Sequence, residues 1–113
     1  MEKFMYLFRG GDNPTSSPEA MQAHMQKWFA WMGQLAQEGT LVAGEPLVRE
    51  GKQVNGSKKT VTDGPFIEAK EMVGGYLIVN ANDIDHAVEI SKGCPIFEVD
   101  GKLEVRPIQK MEM

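Results

Sequence analysis

Apolar positions alternate in some stretches of this chain and recur at helical spacing in others, and that pattern lays out the elements. Residues 3–9 predict a strand that is apolar on both sides, with Phe4, Tyr6 and Phe8 on one and Met5 and Leu7 on the other; Gly10-Gly11-Asp12-Asn13-Pro14 stops it. Residues 17–38 predict a long helix. Ser16 or Ser17 can cap it, Pro18 suits the first turn, and Ser16 with Glu19 has capping-box spacing. Met21, Met25, Trp28, Met32 and Leu35 form its apolar stripe, Gly39 ends it, and Gly33 inside it reads as a point of close approach to a sheet. Leu41-Val42-Ala43 begins a second strand that Gly44-Glu45-Pro46 breaks or bends. Lys52-Gln53-Val54 and Lys58-Lys59-Thr60-Val61 flank Asn55-Gly56, a hairpin signal. Residues 73–80 predict a strand that again is apolar on both faces, Tyr76 and Ile78 against Leu77 and Val79. Asn82 or Asp83 caps a helix over 84–92 with Ile84, Ala87, Val88 and Ile90 inward, and Gly93 and Pro95 end it. Residues 103–108 predict a last strand, with Pro107 implying an edge position or an irregular end.

The order β-α-β-(hairpin)-β-α-β is the split βαβ arrangement of an α+β, ferredoxin-like subunit with an inserted hairpin. Two helices cover one face of such a sheet, yet two strands are apolar on both. A second copy is the simplest cover, so the pattern predicts a homodimer with two sheets face to face, a dimeric α/β barrel.

At 113 residues the chain is expected to form a single domain over 1–113. With 42% hydrophobic and 25% charged residues, disorder and coiled coil are excluded. Lys+Arg is 12 against Asp+Glu 16, and a net charge of −4 weighs against direct nucleic-acid binding. The single Cys94 excludes an intrachain disulfide and fits a reducing compartment. Two histidines and one cysteine are too few for a zinc site of the usual kind, so no metal is expected. Lys3, Arg9 and Asp12 interrupt the first apolar stretch, and no run reaches the roughly 20 apolar residues of a membrane span. The expectation is a cytoplasmic protein with no membrane contact.

The run Val61-Thr62-Asp63-Gly64-Pro65-Phe66, continued by Glu68, Lys70 and Glu71, is distinctive. With Ser17-Pro18-Glu19, Trp28 and Trp31, Gly74-Gly75-Tyr76, Cys94-Pro95 and Glu104-Val105-Arg106-Pro107-Ile108, it resembles the YCII-related family in its DGPF branch over nearly the whole chain. The resemblance implies a ferredoxin-like subunit and a dimeric α/β barrel. It also implies a histidine–aspartate pair proposed as a cofactor-free acid/base centre, activity on small ring-derived acids in some members, and an association with sigma factors in DGPF members. In the wider family the aspartate can lie in an Asp-Pro pair after the second helix; here that place reads Cys94-Pro95.

His24 flanks the helix stripe beside Trp28 and Trp31, where an imidazole can serve as general acid or base or be a half-buried residue held by one hydrogen bond. Asp63 is its candidate carboxylate partner, with fixing the Asp63–Phe66 turn as its structural role. Lys70 can meet a substrate carboxylate or carbonyl and Glu71 can act as base, unless Glu68, Lys70 and Glu71 are a solvated ion-pair cluster. Trp28 and Phe66 complete the substrate-binding candidates. Arg106 can clamp an anion but more simply pairs with Glu104 or a second subunit. Cys94 reads as a small buried hydrophobe, and His86 as an exposed helix residue. The leading expectation is a small-molecule-binding homodimer, a cofactor-free enzyme of proton transfer or elimination on an anionic or carbonyl substrate. The rival is a ligand-sensing or protein-interaction module of transcription initiation, in association with a sigma factor.

Overall fold

Strand β1 (Glu2–Gly10) turns Phe4, Tyr6 and Phe8 to one side, and there all three are buried. A computed structural model describes residues 1–11, 17–63 and 71–111 of the chain. β1 lies between β5 (Val73–Ala81) and β6 (Gly101–Pro107), and β2 (Leu41–Pro46) adds outside β5. The order β2-β5-β1-β6, antiparallel throughout, is that of a ferredoxin-like sheet. Register places Phe4 opposite Val79, Tyr6 opposite Leu77 and Phe8 opposite Gly75, so these residues share the face that the helices cover. Pro107 lies in β6, an edge strand, as predicted.

Helix α1 (Pro18–Gln37) starts at Ser17, whose Oγ accepts the Ala20 N–H at 3.0 Å. Ser16, the other capping candidate, lies outside the described residues. The buried residues of α1 are Trp31 and Leu35, with Met21, His24, Trp28 and Met32 half-buried and Met25 exposed. The stripe is therefore rotated from the methionine row that spacing alone predicts. Trp31 stacks over Tyr6 with ring centroids 6.4 Å apart, and Trp28 meets Phe8 edge-on at 5.2 Å. The aromatic rings of β1 select the aromatic rings of α1, which bury more area per residue than methionine does. Gly33 is exposed with nothing within 4 Å of where its Cβ would be, so it mediates no close approach.

The close approach is at Gly44. A Cβ there would lie 2.1 Å from Leu77 Cδ2 and 2.9 Å from the Tyr76 carbonyl oxygen. β2 thus runs through Gly44-Glu45-Pro46 rather than breaking there, with a bulge between Leu41 and Ala43. Its edge position tolerates Pro46.

Helix α2 (Ile84–Ser91) is capped by Asp83 and buries Ala87 and Ser91, while Ile84 and Val88 are exposed, against expectation. A serine can take the inward position because its Oγ donates to the Val88 carbonyl at 2.6 Å. His86 is half-buried rather than exposed: its Nδ1 accepts the Asn82 N–H at 3.0 Å while its own N–H donates to Asp83 Oδ1 at 2.8 Å, a reciprocal cap. A short 3₁₀ helix over Pro95–Val99, which periodicity does not predict, then plugs the end of the core with Pro95 and Ile96.

β3 (Lys52–Asn55) and β4 (Thr60–Asp63) form the predicted hairpin as a separate two-stranded sheet. Its turn spans residues 56–59, with Gly56 at φ +68° and Lys59 at +57°, so Lys58 and Lys59 lie in the turn and not in the strand. Among the described residues the ribbon makes no substantial packing contact with any other element. The radius of gyration is accordingly 15.9 Å, against about 13 Å for a compact chain of this length.

Candidate functional site

One end of the sheet brings together the ion pairs Arg9–Glu104 and Lys102–Glu71. The C-terminal end of β1, the beginnings of β5 and β6 and the N-terminal half of α1 all reach it, because β1 is antiparallel to β5 and β6. On the sheet face away from the helices, β1 brings Met5, Leu7 and Arg9 opposite Arg106, Glu104 and Lys102 of β6. Alternation along β6 produces this row: Leu103 and Val105 turn toward the helices, and the charged residues between them turn away.

Glu104 pairs with Arg9 from the neighbouring strand and sits 3.8 Å from Arg106 Nε on its own strand. Lys102 Nζ donates to Glu71 Oε1 at 2.8 Å. These side chains line an open cleft of about 310 Å³ bounded by Arg9, Glu71, Lys102, Leu103 and Glu104. Arg106 is 67% exposed and holds Glu104 only at the limit of ion-pair distance, so its guanidinium retains donors for another acceptor. Glu71 is thus the one described member of the charged motif that the fold brings into a cleft. Arg9 and Lys102 escape a reading of the sequence alone. Their only signal is the alternation of charged and apolar residues at 102–106, and its meaning depends on strand register.

His24 lies in the helix layer at the same end. Its Nε2 accepts the Trp28 indole N–H at 3.0 Å, and the two rings meet edge to face with centroids 6.4 Å apart. A neutral imidazole that accepts at Nε2 carries its proton on Nδ1, so His24 presents a donor to an approaching group. It can take a second proton only by releasing Trp28. Trp28 itself offers a ligand its ring, since its N–H is committed.

Asp63 ends β4, where its carboxylate accepts from Lys52 Nζ at 2.7 Å with 79% of the side chain exposed. It forms no hydrogen bond with His24 in this chain; each has a different partner. Phe66 and Lys70, with Gly64, Pro65 and Glu68, lie outside the described residues.

Two other titratable groups are structural. Burial pushes the Cys94 thiol up to about 12, against a smaller lowering by the Ile96 N–H, so it stays a thiol at neutral pH. Tyr6 is raised too, first by burial and then by the nearness of Cys94, and its hydroxyl donates to the Ala87 carbonyl. Among the described residues no group of three or more His, Cys, Asp or Glu is placed to hold a metal ion. No helix among them is long and apolar enough to cross a membrane.

Comparison with known proteins supplies a family and a neighbour. The family model for the YCII-related domain matches residues 4–112. No curated protein matches the chain. Among solved structures, the chain is similar to 5-chloro-2-hydroxyhydroquinone dehydrochlorinase (TftG) from Burkholderia phenoliruptrix AC1100, in complex with 2,5-dihydroxybenzoquinone. The two are 16% identical with a TM-score of 0.47, over 94% of this chain and 93% of that chain.

Proposed function

The chain belongs to the YCII-related family, and we propose that it works as a homodimer that binds a small anionic or carbonyl-bearing molecule in the cleft between Arg9 and Lys102. The reaction class we assign is proton transfer or elimination carried out by side chains. The observation that carries this reading is the row Arg9, Lys102 and Arg106 on the open sheet face. Within the cleft Arg9 and Lys102 are matched by Glu104 and Glu71, and Arg106, on the same face and 67% exposed, adds the charge that makes the row net positive on a chain of net charge −4. Such a site favours a ligand with one carboxylate or enolate oxygen, and the arginine fork fits a carboxylate.

Two observations support the dimer. The chain exposes 8305 Å², against roughly 6,200 Å² for a self-contained monomer of its mass. The excess of about 2,100 Å² matches in size what one partner gives to a large obligate interface. The open face also carries Met5, Leu7, Tyr76 and Ile78, half-buried on the side away from the described helices. Packing that face on a second sheet completes the α/β barrel and removes water from the cleft, which strengthens its hold on an anion. His24 stands on the helix side of the same sheet end and does not line the cleft, so its Nδ1–H meets a developing negative oxygen only on a ligand that reaches round that end, and its Nε2 accepts a proton only once Trp28 lets go. Glu71, which accepts from Lys102 in the cleft, is assigned the role of base. Asp63 retains a role only where a ligand or a second subunit draws it from Lys52. Among the described residues no feature singles out a sigma factor as partner.

The test is ligand-induced stabilisation with benzoate, pyruvate and their neutral amides at millimolar concentration. The acids raise the melting temperature and the amides do not. Arg9→Ala and Arg106→Ala abolish the shift while retaining the fold. Equal shifts with acids and amides, or unchanged binding in both variants, would overturn the assignment of the cleft.

A further inference from the structure

A two-stranded ribbon of this length is marginal in water by itself, because it has no third layer to bury its apolar side chains. The β3–β4 hairpin is such a ribbon. Val54 and Val61 face each other across it, 64% and 58% exposed, on the side that also carries the Lys52–Asp63 ion pair. Among the described residues no other element makes a substantial contact with it. Charge separates it from the rest of the molecule as well. Lys52, Lys58 and Lys59 against Asp63 give residues 52–63 a charge of +2, so the remainder of a −4 chain carries −6. A basic, apolar-centred arm on an acidic body is complementary to a second body of the same kind.

We infer that the β3–β4 hairpin is an intermolecular arm that lies on the acidic body of a second copy of this chain, burying the Val54–Val61 pair there. The inference rests on the homodimer reading and adds a contact to the open sheet face. The surface excess agrees with it, since a large interface is easier to account for if an arm and a sheet face both contribute. The absence of a substantial packing partner among the described elements then has a cause: the ribbon's third layer belongs to another subunit. By two-fold symmetry each subunit gives one arm and receives one.

The experiment places benzoylphenylalanine at Val54 and irradiates a mixture of ¹⁵N-labelled and unlabelled protein that has been denatured together and refolded. Cross-linked product of twice the chain mass, containing heavy–light pairs, is expected, with the attachment mapped by peptide mass to a body segment. Light scattering on the unmodified protein runs alongside. A monomer at 50 μM overturns the arm and the dimer together. A dimer in which the probe links only within its own chain, or to nothing, overturns the arm and leaves the sheet-face dimer standing. The double variant Val54→Ser/Val61→Ser supplies a second readout. Both side chains are exposed in the single chain, so circular dichroism of the body stays native while the dimer dissociation constant rises at least about tenfold. An unchanged dissociation constant in that variant also overturns the arm.

Discussion

The Trp28 indole N–H donates to His24 Nε2 over 3.0 Å, one helical turn apart on the half-buried side of α1. The bond holds the imidazole as the Nδ1–H tautomer in its neutral form. Nitrogen-15 spectra of the histidine ring are expected to show that tautomer in the native protein. Trp28→Phe removes the donor, and His24 then shifts toward the Nε2–H tautomer. The variant loses about 1–3 kcal/mol of stability, from one hydrogen bond and poorer packing on Phe8. An unchanged tautomer would mean that the indole does not orient His24.

Replacing His24 itself separates catalysis from structure. Glutamine can still accept the indole N–H, so His24→Gln is expected to cost less than about 1.5 kcal/mol in denaturant unfolding. Turnover of a productive substrate is expected to fall about 10²–10⁴-fold, with affinity changed far less. A larger loss of stability marks His24 as a core residue, and full turnover removes it from the mechanism.

Stability is expected to decline in alkaline solution. The Cys94 thiol is raised from 9.0 to about 12 by burial, so above pH 9 the unfolded chain gives up this proton while the folded chain keeps it. The unfolded state then binds fewer protons, and unfolding free energy falls as pH rises from 9 toward 12, by at most about 1.4 kcal/mol per pH unit for this group. Below pH 9 the contribution is fully present. Tyr6, raised by burial and by Cys94, acts in the same direction beginning near pH 10. Urea titrations of Cys94→Ala should flatten the slope between pH 9 and 10; an unaltered slope would place the effect elsewhere.

Gly44→Ala tests the tight contact between β2 and β5. The added methyl collides with Leu77 and with the Tyr76 carbonyl, and only the leucine can move aside. The expected loss is about 1–3 kcal/mol. Gly33→Ala, with open space around it, is expected to stabilise α1 by up to about 1 kcal/mol. Thermal unfolding of the pair reads both signs.

Alternation at Phe4, Tyr6 and Phe8 and at Leu77 and Val79 was enough to place the two central strands. Ser17, Gly39 and Asp83 marked helix ends by chemistry that acts over three or four residues. Two-sided apolarity in those strands foretold a sheet with an open face, and the DGPF run foretold the family. The tertiary structure decided what depends on partners distant in sequence. Trp31 rather than Met25 faces inward because Tyr6 lies across from it. Gly44 continues a strand because Leu77 and Tyr76 crowd it from β5. The cleft pairs Arg9 with Glu104 and Lys102 with Glu71, contacts spanning 95 and 31 residues. Periodicity shows which residues of one strand share a face, but the register of β1 on β6 decides which charges meet across it.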